Sequence, residues 1–256
     1  MLEVKNLAFS YSNKEILSNI NFSADNSELI AILGRNGVGK TTLFNCLLGF
    51  LKPKLGSITI ADKDIKDIKR KEFSNLVSYI PQSFSPVYNQ TVLDVVLTGC
   101  CSRISYFSSP SKADRKKALD ILDTLGISKL ACKGAKEISG GERQLVIIAR
   151  ALMQEAKIII MDEPSANLDF GNNILLMKTI KSLANSGYLI LFSTHSPDTA
   201  LKYASRVIAI DKGKIIADDI PSKAINSQSI KAMYNVDAEI VDLKNFGIDG
   251  RVCVAK

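Results

Sequence analysis

The run Gly34-Arg35-Asn36-Gly37-Val38-Gly39-Lys40-Thr41-Thr42 constrains this chain more than any other stretch. It fits G-x-x-x-x-G-K-[ST], a loop whose backbone N–H groups cradle phosphate. Upstream, Leu29-Ile30-Ala31-Ile32-Leu33 is a continuous apolar run, the pattern of a strand buried on both faces. Downstream, Thr41 to Leu48 predicts a helix with apolar residues at helical spacing. Strand, loop and helix thus come in the order that aims successive N–H groups into one concavity, and the helix start adds about half a positive charge. Gly34, Gly37 and Gly39 let the backbone turn, with Asn36 and Thr42 completing the cradle. Lys40 is placed to reach the β- and γ-phosphates of a nucleotide, and the Thr41 hydroxyl can ligate Mg²⁺.

A chain of 256 residues holds one large domain or two small ones. With 46% hydrophobic and 23% charged residues it has the composition of an ordinary globular protein, so a sizeable core is available. No apolar run approaches the roughly 18 residues of a membrane span, and Met1 to Asn6 carries neither a basic nor an apolar leader region. Cys46, Cys100, Cys101, Cys132 and Cys253 are odd in number and lack C-x-x-C spacing, which predicts reduced thiols in a cytosolic protein. The adjacent Cys100 and Cys101 read as small buried residues rather than a redox or metal pair. The net charge of +7 raises the question of nucleic acid, but the lysines are dispersed. The clusters Lys69-Arg70-Lys71 and Arg115-Lys116-Lys117 have no interleaved aromatic residues for base stacking, so no nucleic-acid partner is expected.

Further along, Leu2, Val4, Leu7 and Phe9 alternate loosely as in a strand that Tyr11 follows. Residues 56–60 predict a strand, 62–72 a charged surface segment, and 76–80 a short strand stopped by Pro81, with Gln82 just beyond. From 86 to 150 the texture becomes helical. Thr91-Val92-Leu93-Asp94 and Ser111-Lys112-Ala113-Asp114 match the capping box, and a glycine-led helix runs from behind Ser139 to Met153. Strands return at 158–161, 189–192 and 206–210, with a helix over 172–185 and another opened by Ser196-Pro197. Strands alternating with helices predict an α/β fold with a mostly parallel sheet and ligands at the carboxyl ends of its strands. Beyond 219 the pattern is weak and predicts a helix near 222–234 and strands near 238–243 and 251–255.

Asp162 ends a strand of four apolar residues, as a Mg²⁺-holding carboxylate does, and Glu163 follows in the place of a base that polarises the attacking water. With these residues the sequence resembles the nucleotide-binding subunits of ABC transporters over nearly its whole length. Tyr11, Gly34 to Thr42, Gln82, Ser139-Gly140-Gly141, Asp162-Glu163 and His195 fall in family order, and Ser165-Ala166-Asn167-Leu168-Asp169 is similar to the D-loop. The signature departs from the family pattern in two places: it begins with Ile138 in place of leucine and continues with Glu142 where glutamine is common.

The resemblance implies a P-loop NTPase (RecA-like) core spanning 1–85 and 151–218, with an N-terminal antiparallel β portion. It implies an inserted α-helical signature subdomain at 86–150 and a C-terminal extension with a short hairpin at 219–256. It implies ATP and Mg²⁺ as cofactors. Tyr11, the P-loop residues and Ser139-Gly140-Gly141 would bind the nucleotide, while Thr41, Gln82 and Asp162 would hold the metal. Glu163, His195 and Gln82 would serve catalysis, His195 as the γ-phosphate contact. Two copies would sandwich two ATP molecules, each triphosphate held by one chain's P-loop and the other chain's signature. The implied partners are a second copy, integral-membrane permease subunits at the cytoplasmic face and, indirectly, an extracytoplasmic substrate-binding protein. Residues 91–99 and 109–115 look like those of importers for metal chelates such as iron–siderophore, haem, cobalamin or molybdate. A zinc or manganese importer ATPase, or a soluble cluster-assembly ATPase, is the alternative.

Overall fold

The computed structural model describes residues 1–84, 88–105, 108–166, 168–247 and 250–256. In chain order the elements are β1 (Leu2–Tyr11), β2 (Lys14–Ala24), β3 (Leu29–Leu33), α1 (Lys40–Leu47), β4 (Leu55–Ile60), β5 (Lys63–Asp64), α2 (Arg70–Leu76), β6 (Val77–Ile80), α3 (Val92–Leu97), α4 (Lys112–Thr124), α5 (Gly140–Met153), β7 (Ile158–Met161), α6 (Phe170–Asn185), β8 (Leu189–Thr194), α7 (Pro197–Tyr203), β9 (Arg206–Asp211), β10 (Lys214–Asp219), α8 (Pro221–Ala224), α9 (Ser227–Tyr234), β11 (Ala238–Asp242) and β12 (Arg251–Ala255). The fold is mixed α/β, and the chain separates into two compact units, 1–67 with 184–256, and 68–183.

The first unit carries two sheets and the C-terminal hairpin. One sheet is antiparallel, in the order β2-β1-β4-β5. Leu2, Val4 and Leu7 of β1 and Leu17 and Ile20 of β2 are each at most 1% exposed, and one such side chain contributes about 1.5–3 kcal/mol by burial. In the other, β3 runs parallel to both β8 and β9. All five residues of β3 and all six of β8 are buried, as strands covered on both faces must be. β10 returns antiparallel on β9 through a two-residue turn. Lys212 and Gly213 both have positive φ there (46° and 74°), the backbone that a tight hairpin with matching twist requires. Beyond it β11 and β12 pair antiparallel.

The second unit joins a parallel strand pair, β6 with β7, to a group of helices. Helix α5 buries Leu145, Val146, Ile147, Ile148, Ala149 and Met153, and packs against α3 and α4. Gln154, just past its end, donates to the carbonyls of Ser74 and Val77 and so ties the helix to the start of β6. In α4, Ala118 and Leu122 face inward and Gly126 follows the helix end with φ 71°, as its apolar spacing predicts.

One strand had no forerunner in the pattern, and some local expectations differ from what is found. Residues 14–24 form a full strand that the period-2 pattern did not betray, because register shifts interrupt its pairing with β1 and Asn19 sits at φ 52°. Within the charged stretch 62–72 lie β5 and the start of α2, and α2 buries none of its side chains, so it has no apolar stripe to read. Leu76 ends that helix rather than opening β6. The single helix expected near 222–234 is two, α8 and α9, because Asn226 takes extended backbone and caps α9 through its side chain. The cysteines also divide: Cys46 and Cys100 are buried, but Cys101 and Cys132 are exposed and Cys253 is half-buried, so the expectation of burial fails for Cys101.

Candidate functional site

In the first unit the carboxyl ends of β3 and β8 lie side by side, with Leu33 paired to Thr194. The chain after each therefore emerges at the same place, Gly34 on one side and His195 on the other. A hydrogen bond from the Gly34 N–H to the Thr194 carbonyl (3.3 Å) fastens the two loops. Gly34 must lack a side chain, since a Cβ would lie 2.5 Å from the Ile210 carbonyl oxygen of neighbouring β9. Gly39 has φ 108°, and a Cβ there would stand 2.9 Å from Leu17 Cδ2. Gly37, at φ 83°, faces open space.

The loop these glycines shape has an exposed rim, Arg35, Asn36 and Gly37, and a buried floor. Lys40 is 5% exposed. Its ammonium donates to the carbonyls of Gly34 (2.8 Å) and Arg35 (3.1 Å), which folds a positive charge into the loop. Helix α1 starts at Lys40 with no side-chain cap bond and no acidic residue in its first turn. Uncapped N–H donors, the helix dipole and a lysine together favour an anion at this spot. Thr41 is exposed on the first turn and Thr42 is buried. Tyr11 ends β1 with its ring 49% exposed, standing edge-on to Phe9 at 4.9 Å.

The second unit repeats the plan with a second parallel pair. Ile80 of β6 faces Met161 of β7, and the Asp162 N–H donates to the Ile80 carbonyl at 2.9 Å. Gln82 and the Asp162-Glu163 pair are thereby brought together. Asp162 is 3% exposed after four fully buried strand residues, and its charge helps burial push the Tyr79 hydroxyl above the usual tyrosine range. Glu163 holds a left-handed backbone, φ 43°, and its Oε2 accepts from Gln82 Nε2 at 3.4 Å. A bulky residue in that region is strained, and such strain collects where a side chain has to be aimed. Among the described residues no group of three or more His, Cys, Asp or Glu forms a closed metal cage. The buried Asp162 carboxylate of this unit and the Thr41 hydroxyl of the first are each hard-oxygen donors of the kind that suits Mg²⁺, a cation that takes few protein ligands and keeps much of its shell for phosphate and water.

Elsewhere in the same unit Ser139 caps α5. Its hydroxyl accepts from the Glu142 N–H (3.2 Å), and the Glu142 carboxylate accepts from the Ser139 N–H (2.9 Å). That bond holds the Glu142 carboxyl below the usual glutamate range. The departure from glutamine at 142 is therefore absorbed by the cap, because the acid turns back on its own helix start. Gly140 is exposed and a Cβ on it would meet nothing within 4 Å. Gly141 is buried, and a Cβ there would fall 2.5 Å from Asn172 Cγ.

Asn172 was not foreseen as part of the site. Its backbone and side-chain nitrogens both donate to Asp169 (2.8 and 2.7 Å), which lowers the Asp169 pKa and ties the D-loop to the signature glycine. Asn167 of that loop lies outside the described residues. A second unforeseen residue is Tyr234, whose hydroxyl donates to the His195 carbonyl at 2.8 Å. Nothing in the motif order marks it, since it lies in the extension where no chemistry was expected.

Comparison with known proteins identifies the family and the fold. The family profile described as ABC transporter matches residues 17–166. An ATP-binding protein of Helicobacter pylori, assigned to iron chelatin transport, is 35% identical over 94% of this chain and 95% of its own length. A molybdate import ATP-binding protein of Haemophilus influenzae is 34% identical over 92% of this chain and 88% of its own. Among solved structures, an ABC transporter assigned to the metal-chelate type, in an inward-facing conformation, superposes with a TM-score of 0.86 at 28% identity, covering 100% of this chain and 96% of that one. The ADP conformation of another ABC transporter's ATP-binding cassette gives a TM-score of 0.80 at 29% identity, over 88% and 92%.

Proposed function

This chain belongs to the ABC transporter family and is an ATPase, and from that premise we propose that it powers uptake of a metal chelate through a separate membrane permease. The iron chelatin relative and the metal-chelate structure support that cargo over the molybdate of the Haemophilus relative and the phosphonate of others. No helix among the described residues is long and apolar enough to cross a membrane, so the passage itself falls to the permease. The ATPase then sits at the cytoplasmic face as a peripheral subunit, with a substrate-binding protein delivering cargo from outside. The domain reading is retained in this proposal: a core of 1–85 and 151–218, a signature subdomain at 86–150 and an extension from 219.

Each residue has a task. Gly34, Asn36, Gly37, Gly39 and Thr42 present the loop to the triphosphate, Lys40 neutralises its β- and γ-phosphates, and Tyr11 stacks on the adenine. Thr41, Gln82 and Asp162 are the oxygen donors for Mg²⁺, which when bound withdraws charge from the phosphates. Glu163 orients the attacking water and accepts its proton, with Gln82 steadying the carboxylate. His195 contacts the γ-phosphate. Ser139, Gly140 and Gly141 receive the triphosphate held by a second copy, so two chains close over shared ATP. Hydrolysis opens them again.

The observation that carries this reading is the Gln82–Glu163 pair at the end of the β6–β7 strands, a strained glutamate held in contact with a glutamine. Glu163→Gln keeps the shape and removes the base. Turnover should fall by at least about 100-fold, the scale of a lost general base, while ATP holds the pair closed. A stable ATP-bound dimer on size exclusion supports the proposal, and undiminished phosphate release refutes it. Cargo is read in vesicles holding the permease, where an iron-chelate-loaded binding protein should stimulate ATPase and a molybdate-loaded one should not.

A further inference from the structure

The C-terminal extension reaches back to the switch histidine. β8 ends at Thr194, whose carbonyl accepts from Gly34 N–H. Helix α7 begins at Pro197, and its first backbone acceptor is the Ser196 carbonyl, bonded to the Ala200 N–H at 3.3 Å. The His195 carbonyl therefore falls in the gap between the strand ladder and the helix ladder. The Tyr234 hydroxyl, 39 residues away, donates to it at 2.8 Å.

Tyr234 is itself firmly held. It is the last residue of α9, which is fixed at its start by the reciprocal Asn226–Ser229 cap and along its length by buried Ile230 and Met233. α9 packs on β9 and β11. A second grip lies close by: the Cys253 N–H of β12 donates to Asp198 Oδ1 at 2.7 Å, in the first turn of α7. The extension thus holds the histidine loop by its carbonyl and the following helix by its leading carboxylate. Burial is the main influence on the Tyr234 hydroxyl and raises its pKa, so it stays a neutral donor at physiological pH. Arg35, on the phosphate loop, acts on the same hydroxyl in the opposite sense, so Tyr234 lies within electrostatic reach of both loops.

We propose that Tyr234 is a positioning residue for ATP hydrolysis, its hydroxyl setting the backbone at His195 and so the aim of the imidazole. This rests on the reading of His195 as the γ-phosphate contact. The extension is on this account a brace for the switch, and anything that lifts it would slow hydrolysis without loosening nucleotide.

His195 is the only histidine in the 256 residues, so one imidazole resonance reports it directly in tag-free protein. Tyr234→Phe keeps the ring packing and deletes the donor. That resonance should shift or broaden in the variant, and kcat should drop about three- to tenfold, the worth of one hydrogen bond, with KM for ATP unchanged and Tm lowered by no more than about 2–4 °C. In a His195→Ala background the same substitution should have no further effect. An unmoved imidazole signal with unchanged kcat overturns the inference, as does a joint fall of kcat, ATP affinity and Tm. Full turnover in His195→Ala alone would remove the switch reading and this inference with it. Loss of turnover there beside a silent Tyr234→Phe removes the inference only.

Discussion

Two helix starts to which the proposed function gives the same kind of ligand are built in opposite ways. At α1 the chain enters through Gly39 in a left-handed conformation, with no side-chain cap and no acid in the first turn. At α5 it enters through Ser139 in extended backbone, with a complete capping box closed by Glu142. The first start makes no side-chain cap bond and adds the Lys40 charge. The second satisfies two donors within the chain and offers the Ser139 hydroxyl and two glycines beside them. The lesson is a division of labour: α1 starts with no side-chain cap and a buried lysine, which favours an anion, whereas α5 is a capped helix end that, on the proposed function, a second copy's triphosphate approaches.

Substitutions at the two ends should separate cleanly. The largest difference is expected from Lys40→Ala, which removes a charged donor and should weaken ATP binding to the single chain by about 10- to 100-fold. Ser139→Ala should leave that affinity within about twofold by calorimetry, because on the proposed function the signature serves a second copy's nucleotide. Equal losses from both would abolish the contrast. Next in size is backbone strain. Gly39→Ala forces a Cβ into φ 108° and onto Leu17, and should cost about 1–3 kcal/mol in urea unfolding. Gly140→Ala meets open space in a helical turn and should stay within about 0.5 kcal/mol of the parent.

Ser139→Ala should also lose about 1 kcal/mol of stability as a missing cap, a cost with no counterpart at α1. The smallest effect concerns Glu142. Its folded pKa is depressed, so its share of the cap is present above the unfolded glutamate value of about 4.3 and vanishes as pH falls through the folded one. Since the carboxylate is largely solvated, Glu142→Gln should differ from the parent by only a few tenths, roughly 0.3 kcal/mol, at neutral pH. That gap should close in acid. A gap that widens below pH 4 would mean the carboxylate is not the acceptor in the cap.

The same contrast explains what could be read from the chain alone. Both starts carry their instructions locally, glycines and lysine at 34–42 and Ser-x-x-Glu at 139–142, and α5 was legible to its last residue, Met153. Strands buried on both faces were equally plain where the run is apolar: all of β3 and β7, and Leu189 to Phe192 of β8, whose last two residues, Ser193 and Thr194, are polar but buried. Elements lacking such a signal went unread. α2 has no buried face, β2 is broken by register shifts, and the break between α8 and α9 is only Ile225 and Asn226, an asparagine whose capping role depends on its backbone angle. The long-range contacts were invisible for a stronger reason. Asn172 against Gly141 and Tyr234 against His195 join residues 31 and 39 positions apart, and only the fold decides such neighbours.

The central claim is that each ATP is completed by one chain's P-loop and another chain's signature, and mixing two dead variants tests it directly. Lys40→Ala spoils the loop and spares the signature, while Ser139→Phe blocks the signature and spares the loop. Each alone should be nearly inactive. Mixed dimers would hold one intact composite site, so phosphate release should reappear on mixing and track the fraction of mixed dimer. Activity that stays at the sum of the two variants, however they are mixed, would contradict the account.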